Sequence, residues 1–204
     1  YMFLINDYFD ITADKIAGKK REIHDMAKVQ VVGLIVLIFL SSYIVTLLLI
    51  GQTLYTLIYV TAYFLATFYS APPLRFKGRG ILGMVSNVLI EKALPVLLVV
   101  SFFQYFYLDA LILLVLVSVW EIELILIHQY DDYEADLKAQ VKSYVVEIGL
   151  KKTLRVLGPL QSLWTLLFVI FSGIILMKVP YSVVFFVFVI IGYFIVDRLR
   201  RSGL

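Results

Sequence analysis

Six long apolar runs leave this chain one architecture. They cover residues 29–50, 53–70, 81–103, 108–127, 161–177 and 181–196. A bilayer core takes about 20 predominantly apolar residues of helix to cross. Inside lipid every backbone N–H and C=O must find a partner, within a helix or around a closed barrel. A barrel strand alternates apolar and polar residues, and these runs do not alternate. They predict an all-α, polytopic transmembrane helical bundle, one domain over residues 1–204. The chain is 62% hydrophobic and only 16% charged, far from the balance of a soluble domain. It has no cysteine, which excludes a disulfide framework and a thiolate metal site. No basic patch of the kind that binds nucleic acid stands apart from the membrane loops.

The basic residues give the bundle its orientation. Lys15, Lys19, Lys20, Arg21 and Lys28 precede the first run, and Arg75, Lys77 and Arg79 follow the second. Lys138, Lys142, Lys151, Lys152 and Arg155 lie between the fourth and fifth, and Arg198, Arg200 and Arg201 follow the sixth. These are 16 of the 18 basic residues, and alternating loops put all of them on one side. Loops rich in Lys and Arg stay cytoplasmic, so this side is expected to face the cytoplasm, at the cell membrane in a prokaryote. Topology alone accounts for most of these charges. Asp197 among the last arginines reads as a surface ion-pair partner. The chain starts at Tyr1 with residues that resemble the end of a helix and with no signal peptide, so a preceding segment is expected to be missing.

On the same side lies an acidic stretch, Asn6-Asp7-Tyr8-Phe9-Asp10-Ile11-Thr12-Ala13-Asp14. At 100° per residue Asn6, Asp7, Asp10 and Asp14 fall within roughly a 100° arc of one helix face. Three carboxylates crowded there repel one another unless a cation joins them. A hard divalent ion held by oxygens is the natural partner; a solvated acidic face is the plainer explanation. A second stretch follows the fourth run, where Asp132 and Asp136 are four residues apart on one face. Projected back along the helix, that face also carries Gln129, His128 and Glu121, with Glu123 opposite. His128 alone is more readily a hydrogen-bonding residue than a ligand and stays outside the metal set. Each acidic stretch follows an apolar segment and precedes a basic one, a weak internal duplication.

Between them lies Tyr69-Ser-Ala-Pro-Pro-Leu-Arg-Phe-Lys77, ending in Gly78-Arg79-Gly80. The paired prolines are expected to stop the helix and hold the chain extended. Arg75 and Lys77 are placed to meet a phosphate, or equally to anchor an interfacial loop. The third run contains Asn87, Glu91 and Lys92, then Pro95. Ionisable groups at this depth are costly and face a cavity or a partner. Lys92 is expected to make an interhelical pair. It does not pair with its neighbour Glu91, which points about 100° away.

Two acidic patches on one membrane face, with Arg and Lys beside them, read as a diphosphate site. Mg²⁺ would bridge the carboxylates to the phosphate oxygens, and basic side chains would neutralise the remaining charge. A dry helical chamber with aromatic walls would suit a cationic hydrocarbon intermediate and a long apolar substrate.

The motifs Asn6-Asp-x-x-Asp-x-x-x-Asp14, Tyr69–Lys77 and Asp132-x-x-x-Asp136 with Lys142-Ser143 resemble those of the UbiA-type intramembrane prenyltransferases, over nearly the whole chain. The resemblance implies Mg²⁺ dependence, a polyprenyl diphosphate donor and a lipophilic acceptor of aromatic, quinone-precursor or lipid type. It implies that Asn6, Asp7, Asp10 and Asp14, with Asp132 and Asp136, form the metal–diphosphate site, and that Arg75, Lys77 and Lys142 contact the diphosphate. Asp10 and Asp132 then carry the catalysis. Glu121, three turns below Asp132 on its face, is the candidate acceptor contact. Gln140 and Arg21-Glu22 depart from a glycine and an Arg-Pro common in the family. The family typically has nine spans, so the first, most of the second and the last are expected to be absent. Two other readings compete. A CDP-alcohol phosphatidyltransferase would carry an Asp-Gly and an Ala-Arg that this chain lacks. A cation transporter would place its acids near the midplane rather than at span ends.

Overall fold

The computed structural model describes residues 1–16, 21–48, 53–138 and 140–180, with 183 and 187; side chains are described in these segments except at 12–16, 22 and 47. Helices α1 (Met2–Ile16), α2 (Lys28–Leu48) and α3 (Thr53–Ser70) come first. Next, α4 (Ile81–Val88) and α5 (Leu94–Phe102) are joined by one wide π turn, Leu89–Ala93. Then come α6 (Leu108–Asp131), α7 (Tyr133–Lys138), α8 (Tyr144–Ile148) and α9 (Leu150–Lys178). Among the described residues no strand forms, and the all-α membrane bundle is the fold observed.

Four helices among the described residues are long and apolar enough to cross a membrane: Lys28–Thr46, Ile81–Phe102, Leu108–Asp131 and Leu150–Lys178. They correspond to the first, third, fourth and fifth runs. The second run is an 18-residue helix, α3, but its Tyr and Thr side chains make it less apolar than the count of six spans supposed. The sixth run, apart from Val183 and Val187, lies outside the described residues, as do Lys19, Lys20, Asp197 and the arginines after it. The fifth is longer than expected: 29 residues make about 43 Å of helix. That exceeds a hydrocarbon core of about 30 Å, which accommodates the polar start at Lys151, Lys152 and Arg155.

The packing follows residue size. Along α3, Ala66 and Ser70 are buried, and such small side chains let a neighbouring helix come close. There α1 packs on α3, with Ile5 buried, the Tyr1 and Tyr63 rings 4.7 Å apart, and the Tyr1 and Thr67 hydroxyls 2.8 Å apart. The largest helix–helix contact among the described elements is α6 on α9. Most of the large apolar side chains elsewhere point outward, as a lipid-facing surface requires. The π turn has a local cause. Pro95 has no N–H and its ring crowds the carbonyl four residues back, at Glu91. The helix widens there and turns Glu91 and Lys92 out of the regular register.

The two ends of the bundle differ. At one, the 71–80 turn meets the loop after α7: the Gly80 N–H donates to the Lys142 carbonyl at 2.8 Å, and Gly80 bridges to Ser143. At the other, the loop carrying Phe103, Tyr105, Phe106 and Tyr107 joins α5 to α6. Lys178 Nζ, at the end of α9, meets Asp109 Oδ2 at 3.0 Å and the Tyr105 hydroxyl at 3.1 Å there.

Candidate functional site

The first acidic stretch is helical as its spacing requires, with Asn6, Asp7 and Asp10 on α1. Asp14 is in the same helix, but its side chain lies outside the described residues. Ser70 Oγ, on the last residue of α3, donates to Asn6 Oδ1 at 2.7 Å. Lys77 Nζ donates to the same oxygen at 3.3 Å and pairs with Asp10 Oδ2. Arg75 Nη2 stands 3.7 Å from Asp10 Oδ1. Asp7 pairs with Arg21 at 3.3 Å. Mutually repelling carboxylates are thus held by three cations from two loops.

Lys77 arrives there because the 71–80 segment folds tightly. The expected extended run is instead a turn: the Arg75 N–H donates to the Ala71 carbonyl at 3.0 Å, and the peptide between Pro72 and Pro73 is cis. A short 3₁₀ turn, Phe76–Gly78, then lies against α4. The close approach depends on Gly83, where a Cβ would come within 2.8 Å of the Phe76 carbonyl oxygen. Gly80 has φ +51° and sits against the Glu147 carboxylate, so a side chain there would clash as well as strain the backbone.

The second stretch is more open. Asp132 ends α6, and the Asp136 N–H donates to its carbonyl at 2.8 Å, carrying the helical path into α7. Asp132 Oδ2 lies 3.5 Å from His128 Nε2, with both side chains exposed. Lys142 is exposed; its link to the site is its carbonyl, bonded to Gly80. Gln129 Oε1 accepts the Val145 N–H at 3.2 Å and fixes α8 on α6. The two stretches are therefore joined through the Gly80–Ser143 backbone. Among the described residues no three carboxylates or histidines converge into one metal-holding group. Basic side chains occupy the first motif in place of a second set of acids.

The residues of the first motif nevertheless suit a hard cation. Among the described residues Asp10 Oδ1 is buried and accepts no hydrogen bond, with Arg75 Nη2 3.7 Å away. Asn6 and Asp10 carry oxygens one turn apart, the donor type that Mg²⁺ selects, and a cation there would displace Lys77 from Asn6 Oδ1 and Asp10 Oδ2.

A polar line continues from here into the bundle. The Tyr69 hydroxyl accepts from Asn87 Nδ2 at 3.2 Å. Lys92 Nζ pairs with Glu121 Oε2 at 3.1 Å and sits 5.8 Å from the Trp120 ring. The expected interhelical pair of Lys92 is thus present, and its partner is the residue singled out as an acceptor contact. Arg21, Ser70 and Asn87 were not picked out for this role. Ser70 and Arg21 carry a signal, since Ser70 lies within the Tyr69–Lys77 motif and Arg21 follows the first acidic stretch; Asn87 has only its depth.

Across residues 1–202 the chain matches the family model described as the UbiA prenyltransferase family. No curated protein and no solved structure matches it.

Proposed function

Since the chain belongs to the UbiA prenyltransferase family, and so to a family of integral-membrane prenyltransferases, we propose that it transfers a polyprenyl group from a polyprenyl diphosphate to a lipophilic acceptor at the face that carries the acidic motifs. The observation that carries this reading is the meeting of Asn6 and Asp10 with Arg75 and Lys77 at the end of the α3–α4 helix pair. Oxygen ligands and phosphate-binding cations side by side, at the mouth of an apolar bundle, suit a diphosphate head on a hydrocarbon tail.

In this reading Asn6, Asp7, Asp10 and Asp14, with Asp132 and Asp136, would hold Mg²⁺. Bound there, the ion would neutralise the diphosphate and make it a better leaving group. Arg75, Lys77 and Lys142 take up the remaining phosphate charge, Arg75 through its planar fork. Lys77 exchanges its carboxylate partner for the phosphate. The Gly80–Ser143 joint holds the basic loop and the second acidic loop in one register, so both act on one head group. The apolar helices exclude water from the developing allylic cation, and aromatic faces favour its charge. The excess of Lys and Arg in the loops at this face supports a cytoplasmic orientation for it.

The test is incubation of the purified protein with a labelled polyprenyl diphosphate, Mg²⁺ and a panel of lipophilic acceptors. Labelled product and released diphosphate are expected, both falling at least about 100-fold in Asp10→Asn, the loss typical of a preorganised electrostatic group. Absence of both, with Mg²⁺ or Na⁺ flux in liposomes instead, would establish the transporter reading.

A further inference from the structure

The end of the bundle opposite the acidic motifs carries a polar joint beside an apolar cavity. Asp109, in the first turn of α6, is only 5% exposed. Its Oδ2 accepts from the Tyr105 hydroxyl at 2.8 Å and from Lys178 Nζ at 3.0 Å. Lys178 also donates to the Tyr105 hydroxyl at 3.1 Å, and its ammonium lies 5.6 Å from the rings of both Tyr105 and Tyr107. Among the described residues the other oxygen, Asp109 Oδ1, is buried without a hydrogen-bond partner. Asp109 lines a cavity of about 590 Å³, walled by Val99, Val100 and Phe103, by Leu113 on α6, and by Phe171 and Ile175 on α9. That volume falls within the range of about 300–1,000 Å³ usual for ligand sites. A buried acceptor left unpaired costs free energy that a bound donor would remove.

The depth of the joint is that of lipid head groups. Phe103, Tyr105, Phe106 and Tyr107 of the α5–α6 loop are exposed, and Tyr side chains gather at the membrane–water boundary. Helix α6 puts about 33 Å between Asp109 and Asp131, so the cavity lies across the bilayer from the acidic motifs. The alternation of the apolar runs leaves Lys178 as the lone basic residue at this end. Two groups remain open at the joint. One is the acceptor Asp109 Oδ1. The other is a donor: an ammonium has three N–H groups, and Lys178, its side chain 46% exposed, uses two. The matching ligand has an N–H donor for the carboxylate, an anionic oxygen for Lys178 and an apolar body for the cavity. We infer that this site binds a zwitterionic phospholipid with an amine head group. Its ammonium meets the Asp109 carboxylate, its phosphate meets Lys178, and the start of an acyl chain lies against Val100, Leu113 and Phe171. A choline head has no N–H to donate. A glycerol head brings an anion without the cation that the carboxylate requires. None of these residues belongs to the acidic motifs, so the inference stands apart from the transferase reading.

The experiment titrates the purified, delipidated full chain in detergent and reads bound lipid by native mass spectrometry. The probes are dioleoyl phosphatidylethanolamine, phosphatidylcholine and phosphatidylglycerol, with oleylamine as an amine that lacks phosphate. Phosphatidylethanolamine is expected to bind about tenfold more tightly than each of the others, the size of one hydrogen bond to a charged group. Asp109→Leu, which removes both oxygens, should lower its affinity about tenfold, to the phosphatidylcholine level. Val99→Trp should do the same, because it fills the cavity from a side chain that is 58% exposed and leaves the joint intact. It keeps the test decisive if Asp109→Leu does not fold. Equal binding of phosphatidylethanolamine and phosphatidylcholine overturns the inference, as does a preference for phosphatidylglycerol or oleylamine. A folded Val99→Trp that binds phosphatidylethanolamine as the parent does overturns it too.

Discussion

Replacing Lys77 by Met isolates the contact on which the first motif depends. In the native chain the Lys77 ammonium pairs with Asp10 Oδ2 and donates to Asn6, while Asp10 Oδ1 accepts no hydrogen bond. Without the ammonium, a largely buried carboxylate keeps Arg75, 3.7 Å away, as its described counter-charge. Breaking a fully buried pair costs about 3–5 kcal/mol. Here the side chains of Lys77 and Asp10 remain 20% and 13% exposed, and Arg75 stays. About 1.5–3 kcal/mol is therefore expected, roughly half of the fully buried cost. At about 2–4 °C per kcal/mol for a chain of this size, the melting midpoint should fall by about 3–12 °C. Asp10→Asn removes the charge that needs pairing and leaves an ammonium able to turn toward solvent, so it should cost about 1 kcal/mol. The double variant should cost less than the sum of the singles, with a coupling of about 1–2 kcal/mol. Thermal unfolding in detergent, followed by the fluorescence of Trp120 and Trp164, measures all four corners. A midpoint for Lys77→Met within about 1 °C of the parent would refute the reasoning, as would strictly additive costs.

Three other perturbations test separate parts. Gly80→Ala should destabilise the chain by about 1–3 kcal/mol through its positive φ and its clash with Glu147; Glu147→Ala should recover the steric share in the same melting assay. Lys92→Met should be worse than Lys92→Met with Glu121→Gln, by about 1–3 kcal/mol, because the single variant leaves the buried Glu121 carboxylate unpaired; equal midpoints would mean that the pair adds nothing. Chelation of divalent ions should abolish prenyl transfer and added Mg²⁺ should restore it, as labelled-product counts will show; undiminished turnover in excess chelator would remove the ion from the proposed mechanism.

Much of the fold was legible because lipid permits so few alternatives. Long apolar runs predict helices, and helices at residues 28–46, 81–102, 108–131 and 150–178 followed. The sequence reading missed in particular places for physical reasons. It counted residues 53–70 as equivalent to the rest, although the Tyr and Thr of α3 turn polar groups toward α1 and α2. These include the hydroxyls of Tyr59 (2.9 Å from Ser42 Oγ) and Tyr63. The paired prolines predict an extended chain because each fixes its own φ and disfavours helix before it; that local preference does not exclude a tight turn, and the Arg75 N–H closes one onto the Ala71 carbonyl. The acidic face of α1 was legible from its period. That Lys77 would occupy it was not, since the reach of a loop depends on Gly83 letting it lie on α4. Residue type makes Arg75 and Lys77 candidates for a phosphate contact; the fold shows which carboxylate they neutralise, Asp10.

The unsatisfied groups follow a pattern of their own. Among the described residues, the buried acceptors left without a hydrogen-bond donor include Asp10 Oδ1 and Asn87 Oδ1. Both lie among the polar residues that start at α1: Ser70 bonds Asn6, and its chain neighbour Tyr69 bonds Asn87. In a membrane bundle a polar side chain without a partner is usually removed by selection or satisfied by a neighbouring helix. Of these two, Asp10 Oδ1 lies at the end that meets the basic loop, where a bound cation would complete it in the proposed mechanism. The acidic helix face of α1 is thus one end of a polar path that continues through Ser70, Tyr69 and Asn87 into the bundle.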